Sequence, residues 1–75
     1  MRVIVKCYSG YRAEETPRSI QLGSVIVHVK EIQDRWLSVD HRYFKLVGDD
    51  NAIYIIRLDV NTQEWELTYY KQADS

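Results

Sequence analysis

Cysteine is nearly absent from this sequence: Cys7 is the only one among 75 residues, so no disulfide can form within the chain. A lone thiol is typical of proteins kept in a reducing compartment, and we therefore expect a cytoplasmic protein. Glycine and proline are also rare, at three and one respectively, and the glycines stand apart from one another. The spacing therefore predicts no Gly-rich loop of the kind that cradles phosphate groups.

Long apolar runs and an excess of charge of one sign are missing as well. No segment approaches the ~18 apolar residues that a membrane-spanning helix needs, and Arg2 and Lys6 come too early for a signal peptide. Lysine plus arginine number 10 and aspartate plus glutamate 11, a formal net charge of −1. This balance gives no global attraction to nucleic acid or to an anionic membrane.

The second half of the chain contains three short runs in which apolar and polar side chains alternate. The runs cover residues 42–47, 53–58 and 64–70, and polar segments at 48–51 and 59–63 separate them. Period-2 alternation rich in β-branched and aromatic residues, interrupted by Gly, Asp and Asn, is typical of an antiparallel meander.

The first half predicts further strands at residues 2–8, 18–22 and 24–32. The polar stretch at 9–17 is a predicted loop. Its last residue, Pro17, cannot donate a ladder hydrogen bond and should begin or flank an edge strand.

The segment 31–37 has two interpretations. The spacing of Ile32, Arg35 and Trp36 would suit a helical turn. We favour a strand with a bulge at Gln33-Asp34, because no N-cap residue precedes the segment and its flanks are β-branched.

These elements predict an all-β protein, a small antiparallel barrel or half-open barrel of five to six strands that ends in a three-strand meander. Residues 1–70 would form a single β-domain and residues 71–75 a flexible C-terminal tail. A chain this short is near the lower size limit for a self-sufficient hydrophobic core.

Parity along the strands predicts one buried surface and one mixed surface. The buried surface contains Val3, Val5, Cys7, Val25, Val27, Val29, Phe44, Leu46, Tyr54, Ile56, Leu58, Trp65 and Leu67. The opposite surface combines charged residues with Ile4, Tyr8, Ile26, Tyr43, Ile53, Ile55 and Tyr70. A sheet with one solvated face should alternate more strictly. We therefore expect that either the loop at 9–17 or a partner covers part of the mixed surface.

The side chains that could carry chemistry are isolated. Cys7, His28 and His41 lack the paired spacing of a zinc site, so we predict no metal and no cofactor. Cys7 shares the parity of the valines before it, which favours a small buried side chain over a nucleophile. Asp40 and His41 are neighbours in a predicted turn, but adjacency alone does not make a catalytic pair. We therefore do not expect an enzyme.

Aromatic and basic residues are interleaved at three places, and we take them as the candidate interaction residues. They are Tyr11, Arg12, Arg35, Trp36, Arg42 and Tyr43. Small β-barrels bind single-stranded nucleic acid with such residues, because the rings stack on bases and the cations contact phosphates. Glu31, Asp34 and Asp40 lie among them and would weaken the positive field.

A non-catalytic protein-interaction module is the function that we favour, and a single-stranded nucleic-acid-binding barrel is the alternative. A homodimer is one form of the first hypothesis. Its contact residues would be Ile4, Ile26, Tyr43, Ile53 and Ile55. The strand at 18–22 could also pair with a partner strand if it lies at an edge of the sheet.

Five segments of the chain carry a family likeness. They are Val5-Lys6-Cys7-Tyr8-Ser9-Gly10-Tyr11-Arg12-x-Glu14-Glu15-x-Pro17, Val29-Lys30-Glu31-Ile32-x-Asp34-Arg35-Trp36, Asp40-His41-Arg42-Tyr43-Phe44-Lys45, Tyr54-Ile55-Ile56-Arg57-x-Asp59 and Trp65-x-Leu67. The pattern covers most of the chain and resembles a group of short, uncharacterised bacterial cytoplasmic proteins with no assigned activity. The resemblance implies a bacterial cytosolic β-domain and transfers no catalytic residue.

Overall fold

The computed structural model describes residues 1–7 and 16–73, and these form a closed six-stranded antiparallel β-barrel. The strands are β1 (Arg2–Cys7), β2 (Pro17–Leu22), β3 (Val25–Leu37), β4 (His41–Gly48), β5 (Ile53–Asp59) and β6 (Trp65–Lys71). Neither described range contains a helix, so the prediction of a small all-β barrel is confirmed. It follows that no described helix is long and apolar enough to cross a membrane.

Two sequence predictions fall partly outside the described residues. Most of the predicted loop at 9–17 does so, together with the candidate residues Tyr11 and Arg12. The predicted tail at 71–75 is described only to residue 73. Within it, β6 continues to Lys71, one residue past the predicted end of the domain.

Each strand pairs with its neighbours in chain order. β2 begins at Pro17, one residue before the predicted start of this strand, and its central residue Ile20 pairs with Val5 of β1 on one side and with Val27 of β3 on the other. Because both sides of β2 are paired, the prediction that residues 18–22 offer an open edge is wrong. The proline is tolerated as the first residue of the strand.

The barrel closes between β1 and β6 through a short contact. Arg2 pairs with Glu66 and Val3 with Trp65. The Leu67 amide also donates a hydrogen bond to a β1-side carbonyl, that of Met1, at 2.7 Å.

The segment 31–37 forms the second part of β3, and the predicted bulged strand is confirmed. The register against β4 shifts between Val29 and Glu31 and again between Ile32 and Asp34. A bulge adds an unpaired residue and increases local bend and twist. This curvature lets one strand of 13 residues pair first with β2 and then with β4 around a narrow barrel.

The turn between β4 and β5 is held by the Asp50 carboxylate. It accepts a hydrogen bond from the Ala52 amide at 3.0 Å and another from the Tyr54 hydroxyl at 2.6 Å. Asn51 has a φ of 64°, a left-handed conformation that Asn adopts more readily than most residues. Burial and the adjacent Asp50 carboxylate raise the pKa of Tyr54, so its hydroxyl stays protonated and remains a donor.

Apolar side chains fill the interior, as parity predicts for most of the buried set. The buried apolar residues are Val3, Ile20, Val27, Phe44, Leu46, Ala52, Tyr54, Ile56 and Leu58. The prediction that Val25 is buried is wrong, since its side chain is 58% exposed. It shares the parity of Val27 but follows the β2–β3 turn at the barrel mouth, where no layer covers it. Ile20 and Ala52 are core residues that the predicted set omits.

The mixed surface forms two separate groups on the barrel. Ile4 and Ile26 flank Gln21 on the outside of β1, β2 and β3. Ile53 and Ile55 lie on the outside of β5 and are half-buried. Since β2 and β5 are three strands apart in a ring of six, the groups lie on opposite sides of the barrel. The prediction that one dimer face contains all of these residues is therefore wrong.

Candidate functional site

A cleft of about 470 Å³ lies at the end of the β3–β4 hairpin. We call it the hairpin cleft. It is lined by Thr16, Arg35, Trp36, Leu37, Arg42, Tyr43 and Phe44. The four candidate residues that the structure describes, Arg35, Trp36, Arg42 and Tyr43, are thus brought together.

The lining residues come from both faces of the β3–β4 ribbon. Three successive cross-strand pairs supply them: Arg35↔Phe44, Trp36↔Tyr43 and Leu37↔Arg42. Successive pairs face opposite sides of a sheet, and Phe44 faces the core, so Trp36 and Tyr43 face outward. Trp36 and Arg42 therefore do not form one flat patch, although both line the cleft.

The two outward rings form a parallel stack. The centroids of Trp36 and Tyr43 are 5.2 Å apart and their planes differ by 4°. The ring of His41 packs at a tilt on Tyr43, at 6.1 Å. Trp36 remains 39% exposed despite these contacts. The indole is therefore held in one orientation while much of it faces solvent.

A row of polar contacts along the outer face of β4, β5 and β6 supports the Trp36–Tyr43 stack. Arg57, next to Tyr43 in register, donates to the Tyr43 hydroxyl oxygen at 3.4 Å and to Oε1 of Glu66 at 2.8 Å. These hydrogen bonds raise the pKa of Arg57, and the bond from Arg57 lowers the pKa of Glu66. Both groups stay charged, and their pairing links β4, β5 and β6 behind the cleft.

The inner side of the cleft carries a cation over an aromatic ring. The guanidinium carbon of Arg35 lies 5.8 Å from the Phe44 ring centroid, within the range of a cation–π contact. Phe44 in turn packs on Trp65 at 5.7 Å. The Arg35 side chain therefore lies between the hydrophobic core and the cleft.

The acidic residues near the cleft in sequence do not line it. Asp34 accepts a hydrogen bond from the Arg35 amide at 2.8 Å and lies opposite Lys45 in register. Asp40 accepts one from the Asn61 side chain at 3.3 Å. Local partners thus hold both carboxylates outside the cleft.

The remaining reactive side chains are dispersed. Nε2 of His41 lies 3.8 Å from the Asp59 carboxylate, not against Asp40. Backbone amides of the β5–β6 turn donate to Asp59 and lower its pKa. Cys7 is half-buried, and residues 1–7 and 16–73 contain no cluster of His, Cys, Asp or Glu that could hold a metal.

Sequence reasoning missed Leu37 and Arg57 as parts of this region. Leu37 is 77% exposed at the end of β3, and the signal for it was an apolar residue directly before a predicted turn. The role of Arg57 depends on its register with Tyr43. That pairing joins β4 to β5, and the order of residues along the chain does not show which residues face each other on two strands.

Comparisons of the chain with protein-family models, with curated proteins and with solved structures found no match. Small β-barrels serve many unrelated functions, so the fold by itself does not indicate one. The geometry of the surface is the basis for a functional inference.

Proposed function

We propose that this protein is a non-catalytic interaction module that holds an extended segment of a partner protein in the hairpin cleft. The observation that carries the proposal is the composition of the cleft, in which the ordered Trp36–Tyr43 stack, exposed Leu37 and two arginines lie together at the end of the hairpin. Tryptophan, tyrosine and arginine are the residues that most often dominate the energetics of protein interfaces.

The stack lowers the cost of binding. An exposed side chain that must be immobilised on binding costs roughly 0.5–1.5 kcal/mol. Contacts with Tyr43 hold the Trp36 ring in one orientation before any partner arrives, and Arg57, itself paired with Glu66, donates to the Tyr43 hydroxyl. Part of that cost therefore falls on folding of the barrel and not on association.

The chemistry of the cleft selects the partner. The stack and Leu37 favour one large apolar side chain. Arg35 makes no ion pair with any described residue, so a carboxylate of the partner would complete a charge-assisted contact there. Beyond the cleft, Val39 is 94% exposed at the hairpin turn and extends the apolar surface.

Single-stranded nucleic acid is the second candidate, and the parallel stack is the observation that favours it. A third ring, such as a base, could continue a stack of two. Against it stand the net charge of −1 and the use of one face of Trp36 by Tyr43. We therefore place it behind the protein partner.

A displayed library of random peptides tests the proposal. We expect selection on the wild-type protein, with counter-selection on Arg35→Glu, to enrich peptides that pair a large apolar residue with Asp or Glu. A selected peptide should shift the amide signals of residues 35–37 and 42–44, and Arg35→Glu should weaken it by about tenfold or more. Lys71→Glu is the matched control, because Lys71 pairs with Ile53 at the other end of the barrel.

Failure to enrich any peptide that maps to the cleft would count against the proposal. Titration with oligo(dT) distinguishes the second candidate. Quenching of Trp36 fluorescence that weakens as salt rises, without peptide enrichment, would replace the protein partner by nucleic acid.

A further inference from the structure

A second groove, of about 250 Å³, lies on the outside of β1, β2 and β3. We call it the β2 groove. It is lined by Ile4, Lys6, Arg18, Ser19, Gln21, Ile26 and His28. None of these residues lines the hairpin cleft, so the two depressions are separate.

The register explains why a groove forms there. Ser19 pairs with Lys6 on one side and with His28 on the other. Ser19 is only 7% exposed, so a short side chain forms the floor between two long ones. Side chains of β1 and β3 stand roughly 10 Å apart, twice the spacing of neighbouring strands. The low floor at Ser19 therefore opens a depression along the outer face of β2.

None of the described residues that line the groove is Asp or Glu. Lys6 and Arg18 give it positive charge, and His28 adds a hydrogen-bond donor. Their side chains form no ion pair or hydrogen bond to other groups in residues 1–7 and 16–73. By contrast, Lys30 on the same strand as His28 donates to Asn51 at 2.9 Å. The groove thus gathers two cationic side chains, Lys6 and Arg18, that pair with no group in the described part of the chain.

An apolar pair flanks the cations. Ile4 and Ile26 lie on either side of Gln21 in the neighbouring cross-strand row. They are 59% and 54% exposed, unlike Ile20 of the same sheet, which is fully buried. Apolar surface next to uncompensated charge is typical of a contact site for a partner of opposite charge.

We infer that the β2 groove binds an extended acidic segment of a partner protein. Carboxylates of the segment pair with Lys6 and Arg18 and accept a hydrogen bond from His28, and its apolar side chains pack on Ile4 and Ile26. The segment lies across the face of β2 and adds no strand, because both edges of β2 are already paired.

Other occupants fit the groove less well. A second copy docked symmetrically would place the cations of one groove against those of the other. Nucleic acid would find no Trp, Tyr or Phe ring on which to stack a base among the described residues that line the groove. This inference does not depend on the function proposed for the hairpin cleft, because the sites share no residue.

Nuclear magnetic resonance titration with a short synthetic peptide of alternating Glu and Val tests the inference. We expect the peptide to shift the amide signals of Lys6, Ser19 and His28 at low salt, and rising salt should weaken the effect. The double charge reversal Lys6→Glu with Arg18→Glu should lower affinity by about tenfold or more. Lys71→Glu reverses a single charge outside the groove and should leave binding nearly unchanged.

Several results would overturn the inference. A matched peptide with Lys in place of Glu should not bind, and equal shifts from it would remove the role of charge. Shifts confined to residues 35–37 and 42–44 would assign the peptide to the hairpin cleft. Shifts of the groove amides by oligo(dT) alone, or a wild-type dimer in sedimentation that the double reversal dissociates, would each replace the acidic segment by another occupant.

Discussion

Gly48 is a residue at which the barrel has no room for a side chain. A Cβ atom at this position would overlap Cγ1 of Val27 and would lie 2.7 Å from Oδ1 of Asp50 and 3.0 Å from Cε1 of Tyr54. The absence of a side chain at Gly48 therefore lets β3, the β4–β5 turn and the buried tyrosine meet. The requirement is one of space and does not concern a left-handed backbone.

We expect Gly48→Ala to lower the free energy of unfolding by about 1–3 kcal/mol, because the added methyl group overpacks a filled site. Urea denaturation followed by tryptophan fluorescence measures the change. Gly23→Asn is the control: Gly23 has a φ of 61° with no atom within 4 Å of the added Cβ. Asn adopts that conformation, so the cost should stay below about 1 kcal/mol. Equal losses in the two variants would contradict this steric account.

At the scale of elements, the bulges of β3 determine where the hairpin cleft points. The shift between Ile32 and Asp34 leaves Gln33 as the extra residue against β4. Beyond it the pairing is regular, with Trp36 opposite Tyr43. The Trp36–Tyr43 stack therefore depends on the regular β3–β4 pairing that follows the bulge. The bulge bends β3 and so sets the direction in which the end of the hairpin extends.

Deletion of Gln33 should lower the free energy of unfolding by only about 1–3 kcal/mol. It removes an unpaired residue, and all other side chains of β3 keep their inward or outward orientation. Deletion of Lys45 should abolish folding. It removes a paired residue, so either Phe44 or Leu46 would turn out of the core. The flip also turns the outward side chains of the same half-strand toward the core, so that part of β4 loses its fit on both faces.

Amide NMR spectra and urea denaturation of the two deletion variants check this difference. Comparable unfolding of both would show that Gln33 is a required part of the β3–β4 ladder. Retention of a dispersed spectrum by the Lys45 deletion would show that β4 can slip in register without loss of the core.

At the scale of the whole molecule, the strand pairs of the barrel differ in the length over which they are hydrogen-bonded. β4 and β5 pair along their whole length, from His41↔Asp59 to Val47↔Ile53. β1 and β6 pair only at Arg2↔Glu66 and Val3↔Trp65, beside an exposed ion pair between Arg2 and Glu64 at 2.9 Å. Exposed ion pairs contribute little to stability, about 0–1 kcal/mol. The β1–β6 contact is therefore the weak point of closure.

Native-state hydrogen exchange should show this asymmetry. We expect the hydrogen-bonded amides of β4 and β5 to exchange only through global unfolding, because they are buried and paired on both sides. The amides that join β1 to β6 should exchange through a smaller local opening and respond less to low concentrations of urea. Equal protection at the two places would show that the barrel opens only as a single cooperative unit.

The sequence by itself determined the strands and most of their inward faces. Alternation is a local property, since successive side chains of a strand point to opposite sides. It therefore located the meander, and with it Leu46, Tyr54 and Ile56 in the core. It also favoured the bulged form of 31–37, because β-branched flanks and the lack of an N-cap are likewise local.

Only the tertiary structure decided which strands are neighbours and where the barrel ends. Val25 has inward parity yet lies at the mouth, and Ile4 and Ile55 share outward parity yet lie on opposite sides. The Trp36–Tyr43 stack and the floor of the β2 groove at Ser19 arise from the register between strands. Register is set by turns, bulges and closure acting together, so no local pattern of residues could specify these surfaces.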